Sequence, residues 1–361
     1  MNIKLDKRIV LTLDAGGTNF VFSALRGGEL LLQPIVHPSH GHDLKKSLQT
    51  IKDGFHEVIQ QLREKAVAIS FAFPGPADYP QGIIGDLPNF PAYKGGIALG
   101  AMLEEEFKMP VFIQNDGNLF ALGEAIGGTL PRINAKTKQQ YKNLIGLTLG
   151  TGVGCGLIHR GELIEGDTCC AAEVWITSNS ITPSCNTEEG VSTRAILRNY
   201  FKYSQLVPDD TLMPFDIYKI AQGEKEGEKE AALKSFADFG THLGDLICNL
   251  IAIMDGVVVI GGGLTGAKAF YMPALLDVVR GKFKCGQNRL IHSIYCLDNS
   301  TEESKFFQDE IREVEVPFST RKIKYNEKPK LAIATSQFDA SEVIAKGAYA
   351  YGLKMLDQKE D

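Results

Sequence analysis

Nowhere in its 361 residues does the chain hold an apolar run long enough to span a bilayer. Nor does an apolar leader precede the first strand: Met1-Asn-Ile-Lys-Leu-Asp-Lys-Arg8 runs straight into it, so a cytoplasmic location is expected. The same short stretch leaves no room for a helix-turn-helix ahead of that strand. Basic residues are also in short supply, 38 Lys+Arg against 44 Asp+Glu for a net charge of −6. That balance argues against nucleic acid or an anionic membrane surface as the main partner. Cysteine is sparse and unpatterned: seven residues, an odd number, with no CxxC spacing. Reduced thiols in a cytosol fit that usage. Cys169 and Cys170 are adjacent, a poor geometry for an ordinary structural disulfide, and most of the cysteines read as small buried apolar residues. What remains is the make-up of a soluble globular protein, 44% hydrophobic and 23% charged, in a chain long enough for two domains to be expected.

The stretch Leu11-Thr-Leu-Asp-Ala-Gly-Gly-Thr-Asn-Phe20 organises the rest. An apolar strand enters Asp14, turns through Gly16-Gly17 and resumes as a second strand to Leu25. Glycines there let a ligand approach bare backbone N–H groups, which suits an anion such as phosphate. Asp14 is then placed to act through a cation and Thr18 as a donor. An ordinary Gly-Gly hairpin is the competing explanation.

A helix over Asp43–Arg63 follows from its three- and four-residue apolar steps, and Ala66–Phe73 reads as a buried strand stopped by Pro74-Gly75-Pro76. Such a β–β–α–β order indicates an α/β sheet with binding loops beyond its strand ends. The loop from Pro74 to Gly96 is too long and polar to be only a connection. After a helix (Ile97–Phe107) and the strand Pro110–Gln114 comes Asn115-Asp116-Gly117-Asn118, which leads into another helix. Asp116 is placed either as a catalytic acid at a strand's end or within a plain N-cap.

The opening theme then recurs as Leu147-Thr-Leu-Gly-Thr-Gly-Val-Gly-Cys-Gly-Leu-Ile158. Self-similarity at that separation suggests a duplicated domain, with two Gly turns facing one polyphosphate. Helices are expected at Val191–Phe201, Phe215–Ala221 and Glu226–Met254. Asp255–Leu264 reads as a strand into Gly261-Gly262-Gly263, where a nucleotide's base and ribose could rest. The charged segment from Lys284 to Lys330 is hard to assign and is expected to include an excursion from the core, followed by a strand (Leu331–Thr335) and a last helix (Ser341–Met355).

Together these motifs resemble the ROK family (repressors, open reading frames and kinases), sugar kinases of the duplicated actin-like/hexokinase-like (ribonuclease H-like) ATPase fold. The segments that carry the resemblance run in order. They are Asp14–Thr18, Phe73–Asp78, Leu87–Pro91, Asn115–Asn118 with Glu124, Leu149–Gly154 and Asp255–Leu264. The resemblance implies two lobes around a cleft, residues 1–126 and 127–340, with a C-terminal helix at 341–357 packing back on the first. It implies MgATP as cofactor and a hexose as substrate, glucose first, with fructose or an N-acetylhexosamine as alternatives. Asp116 is then the general base and Asp14 holds Mg²⁺ through water. Gly16, Gly17, Thr18, Thr151 and Gly152 bind phosphates, and Gly261, Gly262 and Gly263 face adenosine. Asn89, Asn115, Glu173 and Glu188 read sugar hydroxyls, with Glu189 a rival to Glu188. A homodimer is implied, and neither nucleic acid nor membrane.

Two departures from the family pattern stand out. Glu173 of Ala172-Glu-Val-Trp-Ile176 is kept, but Ile176 stands where the family has a His that touches sugar and ligates zinc. The Cys-rich zinc knuckle is reduced to Cys185, so no structural zinc is expected, and packing around Trp175 is expected to hold that loop. A non-catalytic sugar- or nucleotide-binding regulator of the same fold is the alternative function.

Overall fold

The computed structural model describes residues 3–360 apart from Pro76, Pro88, Asn89, Asp309, Glu310 and Lys328. It divides into two compact units that are not contiguous in sequence. The first is Met1–Arg132, Cys155–Ala172 and Ser336–Asp361; the second is Ile133–Gly154 and Glu173–Thr335. No helix among the described residues is long and apolar enough to cross a membrane.

In chain order the first unit opens with β1 (Val10–Ala15), β2 (Asn19–Arg26), β3 (Glu29–Leu30) and β4 (Ile35–Pro38). Then come α1 (Leu44–Gln61), β5 (Ala68–Ala72), and the short β6 (Ala77–Asp78), β7 (Ile83–Ile84) and β8 (Ile97–Ala98). They lead to α2 (Leu99–Phe107), β9 (Val111–Gln114), α3 (Asp116–Ile126) and α4 (Thr129–Asn134). The main sheet has the order β3-β2-β1-β5-β9 with β4 also on β2; β2 is antiparallel to β1, and β1, β5 and β9 are parallel. β1 and β5 are buried along most of their length, which is why they read as continuous apolar runs and not as alternating ones. The core on one face is aromatic: Phe22 meets Phe55 edge-on and Phe20 stacks on Phe90, all four fully buried. Helix α1 begins where Asp43 accepts a hydrogen bond from the Lys46 N–H, and it lays Ile51, Phe55 and Val58 on this core.

The second unit carries β10 (Leu144–Leu149), the start of β11 (Val153–His159), and, after β12 (Glu162–Leu163), the helices α5 (Thr193–Ser204), α6 (Pro214–Gln222) and α7 (Lys229–Met254). Next are β13 (Val257–Gly261), α8 (Lys268–Val279), β14 (Ser293–Cys296), α9 (Ser300–Phe306), β15 (Ile311–Glu315), β16 (Lys322–Asn326) and β17 (Lys330–Thr335). Strands β10, β13, β17 and β14 lie side by side, all parallel. The segment from Lys284 to Lys330 is therefore an excursion only in part. Its Ser293-Ile-Tyr-Cys296 joins the sheet as an edge strand, and β15–β16 is the separate two-stranded hairpin. Helix α7, about 39 Å long at 1.5 Å per residue, packs on α8. There a side chain at Gly240 or Gly244 would strike the Tyr271 or Leu275 backbone.

The last helix, α10 (Ala340–Glu360), belongs to the first unit and packs on α3, β5 and β1. Tyr349 Oη on α10 accepts from the Gly27 N–H at 2.8 Å and donates to the Arg8 carbonyl at 3.2 Å, which ties the helix to the ends of β1 and β2.

Candidate active site

Asp14 stands near the end of β1, just before the exposed turn Gly16-Gly17-Thr18. Ser39 closes that turn from the other side: its Oγ donates to the Gly17 carbonyl at 2.6 Å and its N–H to the Thr18 carbonyl at 2.9 Å. The Gly17 and Thr18 carbonyls are thus both bonded to Ser39. Asp14 Oδ2 accepts a 2.5 Å hydrogen bond from Ser341 Oγ, at the start of α10. Burial raises the Asp14 pKa. The Ser341 bond opposes that shift, while the charges of Asp116 and Asp339 add to it.

Asp116 is the first residue of α3, directly after β9. Asn115 is the N-cap: its Oδ1 accepts from the Gly117 N–H (2.8 Å) and the Asn118 N–H (3.4 Å). Capping and a functional Asp are therefore not rivals here, because the N-cap is Asn115 and Asp116 is the first helical residue. Asp116 Oδ1 accepts from the Gly117 N–H at 2.9 Å, yet burial outweighs that bond and the helix N-terminus and raises its pKa. A buried network fixes the entry to α3. Gln114 Oε1 accepts from the Asn115 N–H (2.8 Å) and Asn118 Nδ2 (3.1 Å), while its Nε2 donates to Glu165 at 2.6 Å. Tyr351 on α10 donates to the same Glu165 oxygen at 3.1 Å. Asn115 Nδ2 donates to Tyr79 Oη at 3.3 Å, which uses one of its two amide N–H groups. Asn89 lies outside the described residues.

In the second unit the turn Gly150-Thr151-Gly152 is closed by a 3.0 Å bond from the Gly150 N–H to the Gly152 carbonyl, with Thr151 exposed. Glu188 sits against it. Its Oε2 accepts from the Val153 N–H at 3.3 Å, its Oε1 from Arg194 at 2.8 Å, and a side chain at Gly152 would collide with the carboxylate. Arg194 also donates to the Thr151 carbonyl at 3.1 Å. Glu189 pairs with Arg198 at 2.7 Å. Of the two neighbouring acids, Glu188 is the one at the turn. Gly261 is buried as the last residue of β13, and Gly262, at φ +89°, is pressed against the Leu149 backbone. Close packing accounts for Gly262; Gly263 is exposed with nothing near it.

Trp175, the expected packing centre of the segment from Glu173 to Ser192, is 38% exposed and so is not a buried anchor. Short-range bonds hold the segment instead. Thr177 and Thr187 hydroxyls meet at 2.8 Å, the Thr187 N–H donates to the Thr177 carbonyl, and Asn179 Oδ1 accepts from the Ile181 and Thr182 N–H groups. Ser180 Oγ donates to Asp245 on α7, which also pairs with Arg289; both charged side chains are largely buried. A bond to a charged partner is worth about 1.5–3 kcal/mol. Ser180→Ala is expected to lower stability by the lower end of that range, about 1.5 kcal/mol in urea denaturation. A midpoint equal to wild type would show the tie to be idle.

Residues 10–289 match the ROK family. The chain belongs to the ROK family. A crystal structure of glucokinase from Parabacteroides distasonis superposes with a TM-score of 0.85 at 43% identity, covering 98% of this chain and 99% of that one. The glucokinase of Thermotoga maritima is 23% identical over 290 residues, 73% of this chain and 84% of that protein. An N-acetyl-D-glucosamine kinase of Vibrio cholerae is 27% identical over 273 residues, 72% of this chain and 85% of that one. The fold is the actin-like/hexokinase-like ATPase fold shared by ROK sugar kinases. Where the ROK pattern has its zinc ligands, this member has exposed Ile176 and a half-buried Cys185. Among the described residues no cluster of three His, Cys, Asp or Glu is arranged to hold a metal ion. Ser39, Ser341, Gln114, Glu165 and Arg194 went unnoticed in the sequence. Only Arg194 had a local signal, lying two residues beyond the N-cap Ser192 of α5, close in sequence to Glu188.

Proposed function

We propose that this ROK protein is an ATP-dependent hexose kinase, acting on glucose first, with Asp116 as the general base. Asp116 carries the proposal. Its carboxylate stands at a strand-to-helix junction, burial raises its affinity for a proton, and its charge reaches Asp14 in the same unit. A base of raised pKa is better matched to a hydroxyl proton near neutral pH than an ordinary carboxylate. The similarity to glucokinases and N-acetylglucosamine kinases supports a sugar acceptor.

MgATP, when bound, supplies the phosphoryl group and a cation that neutralises charge on it. The residues fit such a cofactor. Mg²⁺ keeps several waters and needs only one or two carboxylates plus phosphate oxygens, so a single anchored Asp14 suffices and no protein-only cage is required. Gly16, Gly17 and Thr18 would offer backbone and hydroxyl donors to phosphate, as would Thr151 and Gly152; of Gly261, Gly262 and Gly263, the exposed Gly263 is the one open to adenosine. Asn115 offers its second amide N–H to the sugar; Asn89, Glu173 and Glu188 are the other residues proposed to read its hydroxyls. Glu188 already accepts two hydrogen bonds, but an ionised carboxylate has about four acceptor sites. Asp116 takes the proton of the attacking hydroxyl and orients its oxygen. A cytoplasmic homodimer is the form this proposal implies.

A coupled ADP-release assay over a panel of hexoses and N-acetylhexosamines tests it, with sugar-dependent ADP release expected. A second function, a sugar- or nucleotide-binding regulator, is favoured by Ile176 in place of the family His and by the reduction of the zinc knuckle to Cys185. Sugar binding by calorimetry without turnover would select it and sink the kinase.

A further inference from the structure

The chain's single tryptophan stands beside the carboxylate proposed to read the sugar. Trp175 lies in a 3-10 turn (Val174–Ile176) that follows directly on Glu173. Val174 is buried and anchors the turn, while Trp175 is 38% and Ile176 58% exposed. The Trp175 indole Nε1–H donates to Glu173 Oε2. An indole N–H is a donor only, so it holds the carboxylate in place and cannot compete with it for the hydroxyl protons of a ligand. The other carboxylate oxygen stays available. The backbone beneath is fixed as well: Ala172 takes φ +66°, and the Thr177 N–H and hydroxyl both bond the Val174 carbonyl. The result is a partly exposed indole with a carboxylate bonded at its edge.

That pairing has a definite chemical complement. A pyranose ring shows hydroxyls around its rim and C–H groups on its faces, so its rim suits a carboxylate and its face suits an indole. Burying the face of one ring under a tryptophan is worth about one to two powers of ten in affinity at ordinary apolar burial strengths. We propose that Trp175 is the specificity-determining residue of the sugar site, a platform on which the pyranose lies while Glu173 takes its hydroxyls. The substrate class this favours is an aldopyranose with equatorial hydroxyls. Such a ring presents axial C–H groups to both faces, whereas an axial hydroxyl interrupts one of them. The inference rests on Glu173 facing the sugar, as proposed above.

Because Trp175 is the sole tryptophan, fluorescence of the wild-type protein excited at the red edge, where tyrosine does not absorb, reports on it alone. Titration with glucose is expected to change the emission saturably, and sorbitol, with the same hydroxyls but no ring, to leave it unchanged. Trp175→Ala is expected to raise the KM for glucose about tenfold, with kcat within about threefold and the KM for ATP unmoved. Trp175→Phe, which keeps a ring, recovers most of the loss. Glucose that saturates the kinase without altering the emission would overturn the proposal. So would a Trp175→Ala enzyme whose glucose KM stays within twofold, or whose KM for ATP rises as much as that for sugar. If the wild type phosphorylates no sugar, kinase activity is what has failed, and the emission titration still decides whether a sugar meets Trp175.

Discussion

Asp116→Asn is expected to lower kcat by about two to four orders of magnitude, the usual contribution of a positioned general base. Folding stability at neutral pH should stay at the wild-type level or rise above it. The two effects have one cause. Burial raises the folded-state pKa of Asp116 above the ordinary carboxylate value, against the pull of the Gly117 N–H. The folded state therefore holds the proton more tightly than the unfolded chain does. The stability that comes from this proton is fully present below the unfolded pKa and is lost as pH rises through the folded one. At pH 7 the ionised group is a burden on the fold, and a neutral amide of the same shape removes it. Stability of the variant should accordingly depend less on pH above about 4 than that of the wild type. Asp14, whose pKa is raised by burial and by the neighbouring acids, continues to contribute the same trend. In the wild type the acid limb of the kcat/KM profile should lie above the ordinary carboxylate range, because the base must be ionised to act. A variant that retained a tenth of wild-type kcat, with the same acid limb, would remove Asp116 from the chemistry.

Gly347→Val is expected to destabilise the protein by about 4 kcal/mol, or to prevent soluble expression. Helices α3 and α10 meet backbone to backbone. A Cβ at Gly347 would run into the Leu119 carbonyl, and one at Gly123 into the Val343 carbonyl, so the two glycines make a reciprocal seam. A side chain can rotate away from a clash, but a helical carbonyl in a hydrogen-bonded ladder cannot, so the helices must separate. Separation would also carry α3 and its first residue, Asp116, out of place, and activity should fall with stability. Gly266→Ala serves as the control: nothing lies within 4 Å of a Cβ there, and its melting temperature should match wild type. A Gly347→Val protein melting within about 2 °C of wild type would show that the seam is slack.

Much of this molecule follows from local pattern. The apolar runs at Leu11–Leu13, Ala68–Ala72, Leu144–Leu149 and Val257–Ile260 are strands because buried parallel strands must be apolar on both faces. The apolar periodicity of Asp43–Arg63 is α1, and the repeat of Leu-Thr-Leu before a Gly-rich turn marks a strand–turn–strand twice along the chain. The short, mixed stretch Ser293–Cys296 was not legible as a strand, because four residues carry too little periodicity.

By itself, then, the sequence determined the family, the two Gly turns and the strand-to-helix junction that presents Asp116, since each is written in consecutive residues whose φ/ψ needs and burial are local. Only the tertiary structure decided the partners. Ser341 reaches Asp14 across 327 positions and Tyr351 reaches Glu165 across 186, and no local composition encodes such pairings. It also separated Glu188 from Glu189. The two are chemically alike and adjacent, but a 3-10 turn rotates about 120° per residue, so one meets the Gly152 turn and the other turns to Arg198. And it replaced an expected aromatic anchor with an exposed indole bonded to Glu173, because direction in space, unlike residue type, is set by the whole chain.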